Sequence, residues 1–167
     1  MQKTLVALAL AAFCLAAGAA DTATTLTIAV DKTPALVLQL PAGWTSNEGK
    51  DGRSILVPPK RGAHLQLWSV AAAKTVAEAL PLVPGIIKGE VTDYKAVETK
   101  DITVAGQPAK HLIGTGTEAD DGDPSNAEVF LFAVGGKVFL LCAHGEGVSA
   151  SRQRAAVLDL LATAKQP

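Results

Sequence analysis

Apolar and polar positions alternate singly soon after the first twenty residues. Leu26, Ile28 and Val30 interleave with Thr25, Thr27 and Ala29, a period of two that predicts a half-buried strand. Asp31-Lys32-Thr33-Pro34 breaks the pattern, and Ala35 to Leu40 resumes it as a second β-leaning run. Pro41-Ala42-Gly43 then imposes a turn before Trp44. Asn47 to Gly52 is a polar loop with two glycines. Ser54 to Val57 and Ala63 to Val70 are further strands, separated by Pro58-Pro59.

The period changes at Thr75. Thr75-Val76-Ala77-Glu78 has the residue types of a capping box, and Val76, Leu80, Val83 and Ile87 recur at helical spacing. Pro81 and Pro84 lack an amide donor and clash with the preceding turn. The segment is therefore a short helix, a break, and about one further turn before Gly89. From Val91 the chain is β-rich: Val91 to Val97, Asp101 to Val104 and Ala109 to Thr117 are strands, with a turn at Ala105-Gly106-Gln107-Pro108. Gly114-Thr115-Gly116 marks a bend or bulge within the third of these.

Ala127 to Val134 and Lys137 to His144 are apolar on both sides and joined by Gly135-Gly136, a two-residue hairpin signal. Strands of this kind are buried on both faces. A terminal helix to about Ala164, capped by Ser149 or Ser151, carries Val157, Leu160, Leu161 and Ala164 on one stripe. With Val76 to Ile87 on the opposite face, the expected class is α/β (α+β). The architecture is an α/β/α sandwich whose largely antiparallel sheet is covered by helices on both faces. Such a cover leaves no room for a buried reactive centre.

The first twenty residues stand apart. Met1-Gln2-Lys3 is followed by an uncharged apolar run from Leu5 to Gly18 and small residues at Ala17-Gly18-Ala19-Ala20, the form of a secretory signal peptide. About fourteen apolar residues fall short of the roughly twenty that span a bilayer. Phe13 before Cys14 is too bulky for a lipid-modified cysteine. Residues 1–20 are thus read as a signal peptide cleaved near Ala19 or Ala20, and residues 21–167 as one globular domain, periplasmic or secreted, with no integral span. Cleavage removes one of the 15 basic residues and leaves 14 against 16 acidic, a net charge of −2. That balance, without any Lys/Arg block, offers no footprint for nucleic acid. Cys14 leaves with the leader. Cys142 then stands alone among apolar neighbours, which favours a buried thiol over an intermolecular disulfide.

Three features recur in an order resembling that of a known family. They are Pro41-Ala42-Gly43-Trp44 after a strand, the helix opening at Thr75, and the run Ile102 to Ala109. A hairpin through Gly135-Gly136-Lys137 and an amphipathic terminal helix follow. From about Leu36 to Ala164 the chain resembles the PsbP-like fold, in its secreted bacterial branch that includes DcrB-like envelope proteins. The resemblance implies an α/β/α sandwich and no common enzymatic activity. Members are accessory or binding proteins: photosystem assembly factors, envelope proteins and chaperones of secreted toxins. The export signal argues against the last role, and no set of functional residues carries over.

Chemistry-bearing residues are few. Cys142 and His144 lie two apart on one strand, and with His111 nearby a Cys/His₂ metal site, for a metal-binding protein or metal-dependent enzyme, is the alternative reading. The spacing matches no standard zinc signature, and the reading adopted is a core thiol with two histidines at strand ends or on the surface and no metal. Glu118 to Asn126 is the densest acidic stretch. It fails the EF-hand pattern, with Asn126 and Phe132 where Gly and Glu belong, and reads as a solvated hairpin loop. Ser54, Ser69, Ser149 and Ser151 lack a nucleophile elbow. Trp68 shares a strand face with His64 and Gln66, and serves either the core or a partner or ligand contact at these three residues. Together these readings predict an exported, non-enzymatic accessory or binding protein of the bacterial periplasm or envelope. It needs no cofactor, and its partner is an envelope protein or a small ligand.

Overall fold

A computed structural model describes residues 24–60, 62–147 and 149–167; residues 1–20, read above as a signal peptide, lie outside the described residues. Nine strands are β1 Thr25–Val30, β2 Thr33–Gln39, β3 Thr45–Glu48, β4 Ser54–Val57, β5 His64–Ser69, β6 Val91–Val104, β7 Gln107–Glu118, β8 Pro124–Val134 and β9 Lys137–Gly145. The helices are α1 Val76–Ala79, α2 Val83–Ile87 and α3 Ser149–Ala162.

Seven strands form one sheet in the order β3-β4-β5-β9-β8-β7-β6, and each neighbouring pair is antiparallel. The apolar pair β8–β9 is central, as its composition requires. Phe130, Phe132, Phe139 and Leu141 face α3, and Val129, Leu131, Leu140 and Cys142 face α1 and α2. Burying each large side chain on both faces stabilises the sheet by roughly 1.5–3 kcal/mol per residue. The expected sandwich is present with one modification. The hairpin β1–β2 shares the α3 face, sending Leu36 and Leu38 into the core beside Val157, Leu160 and Leu161. Paired hydrogen bonds between Val37 and Lys165 tie that hairpin to the chain after α3.

Local chemistry explains the elements. The Thr75 hydroxyl accepts from the amide of Glu78 at 3.2 Å, and the Glu78 carboxylate accepts from the amide of Lys74 at 2.9 Å. A single 3₁₀ turn, Leu80–Leu82, holds Pro81 between α1 and α2, which is the expected break. Gly135 and Gly136 take φ of 57° and 73°, the conformation a two-residue hairpin demands.

Two differences from expectation concern strand limits. The strands expected at Val91 and Asp101 are one 14-residue strand, β6, interrupted by irregularities between Thr92 and Lys95 and between Ala96 and Glu98. Gly114 and Gly116 of β7 lie beneath the first. A Cβ at Gly114 would sit 2.5 Å from the Lys95 carbonyl oxygen. The polar stretch Thr45–Glu48 is an edge strand, β3, rather than part of a loop. At an edge with one side open, no apolar alternation is needed.

Candidate functional site

The antiparallel register of β5 and β9 pairs His64 with His144 and Gln66 with Cys142. All four therefore lie on the α1/α2 face, near the strand ends. His64 is exposed, and its ring stacks on His144 at 5.2 Å. His144 itself is 2% exposed. Two carboxylates flank it: Glu118 from the last position of β7, and Glu90 from the turn after α2. The His144 Nδ1 lies 3.0 Å from Glu118 Oε2, and Nε2 lies 3.8 Å from Glu90 Oε2.

Each carboxylate is anchored. Ser125 donates its hydroxyl to Glu118 Oε1 at 2.5 Å. Gln66 Nε2 donates to Glu90 Oε2 at 2.5 Å, and Arg53 forms an ion pair with Glu90 Oε1. The Ala119 amide donates to the Glu90 carbonyl at 2.9 Å, holding the two acidic segments together.

Burial lowers the pKa of His144 below its ordinary 6.5, and His64 adds to this; the Glu118 and Glu90 carboxylates oppose it. A neutral ring that donates from Nδ1 to Glu118 presents Nε2 as a bare acceptor. That Nε2 is buried and makes no hydrogen bond. The Ser125 hydroxyl is bonded to the carboxylate rather than to the ring, so this is not an activated-nucleophile arrangement. Burial likewise pushes the Cys142 thiol up, reinforced by Glu90 and Glu118, and keeps it protonated.

A cleft of about 630 Å³ opens over this cluster. Ile55, Val57, Pro58 and Leu65 line its apolar part, and Glu90, Glu118, Asp120, Asp121, Glu146, His64 and His144 its polar part. The expectation that helical cover leaves no room for a buried reactive centre fails here, since a cleft lined by clustered ionisable groups opens at these strand ends. Glu118 also departs from the expected solvated loop. It is a strand residue turned inward to His144, whereas Asp120 and Asp121 form the exposed turn.

The alternative metal site at His111, Cys142 and His144 does not form. His111 lies on the opposite, α3 face of the sheet. Its Nε2 is 2.8 Å from Glu128 Oε2, and its ring stacks on Phe130 at 4.3 Å. Half-exposed Arg154 of α3 caps this buried pair, donating Nε to Glu128 Oε2 at 2.8 Å and Nη2 to Oε1 at 2.6 Å. Burial opposes ionisation of Glu128, but the hydrogen bonds and charges of His111 and Arg154 outweigh it and bring the pKa to about 2. Among the described residues no three His, Cys, Asp or Glu side chains are grouped to hold a metal ion.

Of the three expected contact residues, His64 stands at the cleft. Gln66 is buried as the partner of Glu90. Trp68 is half-buried against Val70, Val138 and the rest of the α1/α2-side core. Sequence reasoning missed Glu90, Glu118, Arg53 and the Glu128–Arg154 pair. Glu128 carried a signal, being the one charge inside the apolar run of β8.

No family model and no curated protein matches the sequence. Solved structures do. The PsbP of Synechocystis sp. PCC 6803 aligns with a TM-score of 0.56 at 12% identity, over 90% of this chain and 96% of that one. The fold is PsbP-like. LpqN of Mycobacterium tuberculosis, described as involved in cell envelope biogenesis, aligns at 0.52 with 16% identity over 86% and 89% of the two chains. A Pseudomonas aeruginosa protein of unknown function aligns at 0.51 with 13% identity over 83% and 94%. None of the three is described as an enzyme. Among the described residues of this PsbP-like chain, no helix is long and apolar enough to cross a membrane.

Proposed function

We propose that this is an exported, non-enzymatic accessory protein of the bacterial periplasm or envelope, working as one PsbP-like domain after removal of residues 1–20. We further propose that it binds a ligand or an envelope partner in the cleft over His144. The leader-like residues and the envelope role stated for LpqN support the compartment. One observation carries the site: a cleft of about 630 Å³, within the range of small-molecule sites, whose floor holds a buried imidazole with an unsatisfied nitrogen. The nearest hydroxyl and thiol are not activated, which favours binding over turnover.

In vivo photo-crosslinking tests this. A photoreactive residue at Asp121, on the cleft, is compared with one at Val97, which is 71% exposed on the distant edge strand β6. Adducts specific to position 121 are expected. Equal or absent adducts at both positions, or robust turnover that depends on a cleft side chain, overturn the reading.

A further inference from the structure

The charge balance of the cleft and its unsatisfied atom point to the same ligand chemistry. Five carboxylates line the cleft: Glu90, Glu118, Asp120, Asp121 and Glu146. Arg53 neutralises Glu90. Among the described residues the other four have no Lys or Arg partner within ion-pair distance, and no Lys or Arg lines the cleft. At the floor, His144 Nε2 and Glu90 Oε2 are two acceptors 3.8 Å apart with no donor between them. An acceptor left bare in a buried position costs about 1–3 kcal/mol. A ligand that brings N–H donors recovers that cost, and a ligand that brings positive charge relieves the repulsion among the carboxylates.

We propose that the cleft binds a small organic cation, a primary amine or guanidinium, whose N–H groups donate to His144 Nε2 and Glu90 Oε2 while its charge faces Glu118, Asp120 and Asp121. This rests on the binding role assigned to the cleft above. A nitrogen placed about 2.8 Å from each of the two acceptors spans their separation without strain. The apolar wall of Ile55, Val57 and Pro58 takes the carbon skeleton of such a ligand. His64 is exposed, lines the cleft and stacks on His144, and the proposed route of the cation to Nε2 passes beside its ring. An inorganic cation fits less well, since the carboxylates and imidazoles are not grouped to ligate one.

Isothermal titration calorimetry with 1,5-diaminopentane and with agmatine tests the inference, using pentane-1,5-diol and glutarate as neutral and anionic controls. Saturable binding of a cationic probe at one site is expected, with neither control binding. Asp120→Asn/Asp121→Asn, on the exposed turn where folding is not at risk, lowers affinity about 3- to 10-fold, with a weaker salt dependence. Glu118→Gln lowers it at least 10-fold, and His144→Gln does so without altering the salt dependence. A circular dichroism spectrum confirms that each variant is folded. Absence of cationic binding, equal binding of the diol, or a double variant indistinguishable from the parent overturns the cation assignment. Crosslinking at position 121 that persists after such a result leaves the cleft reading standing, whereas loss of both ends the two together.

Discussion

Removing Arg154 isolates the energetic role of the half-exposed guanidinium that caps the buried His111–Glu128 pair under α3. Glu128 is 2% exposed, and its carboxylate accepts two hydrogen bonds from Arg154 and one from His111. Those partners hold its pKa at about 2 against an ordinary 4.5. At about 1.4 kcal/mol per factor of ten, this is worth about 3 kcal/mol of stability at neutral pH. In Arg154→Ala only His111 opposes the burial penalty, so the pKa returns to about the ordinary value and the variant loses about 3 kcal/mol at pH 7. For a chain of this length that is about 6–12 °C in Tm. The pH dependence has a definite sign. A carboxyl lowered by folding stabilises the protein fully above its unfolded value of 4.5 and loses that effect as the pH falls through about 2. The difference between parent and variant therefore shrinks to about 1.4 kcal/mol at pH 3. His144 destabilises both chains alike as the pH drops below 6.5, and cancels in the difference. Urea melts followed by the fluorescence of buried Trp44 measure both values. Arg154→Met, which keeps most of the aliphatic stem, controls for lost packing and gives the same pH trend. A difference that is equal at pH 7 and pH 3, or below about 1 kcal/mol at pH 7, refutes the reasoning.

Gly114→Ala places a methyl 2.5 Å from both the Lys95 carbonyl oxygen and the Tyr94 ring. It costs about 1–3 kcal/mol in chemical denaturation, and a neutral result removes the close-approach explanation. Ala105 has a φ of 51° in the β6–β7 turn. Ala105→Asn relieves left-handed strain there and raises stability by about 0.5–1 kcal/mol, measurable as a higher denaturation midpoint; a lower midpoint contradicts it. The buried Cys142 thiol reacts with a thiol reagent at pH 8 only on the timescale of unfolding. Native labelling as fast as that of free cysteine disproves its burial.

The elements legible in the sequence were those with a local cause. Alternation placed β1, and unbroken apolar runs placed β8 and β9. The residues Thr75, Pro81 and Gly135-Gly136 set a helix start, a helix break and a hairpin. These depend on neighbours within about four positions, so the chain order displays them. The two-sided burial of β8 and β9 followed as well, because composition alone demands cover on both faces. The helices that cover them followed too, but the hairpin did not: β1–β2 joins α3 through contacts such as Val37 to Lys165, far apart along the chain. The site was illegible for the same reason. His144, Glu118 and Glu90 come from three separate segments, and only the β6–β7, β7–β8 and β8–β9 registers bring them together. His111 shows the converse. It lies near Cys142 and His144 across the sheet, yet strand parity sends it to the other face. Alternation fixes which residues of one strand share a face, but which face another strand's residues join is decided by pairing register, a property of the assembled sheet.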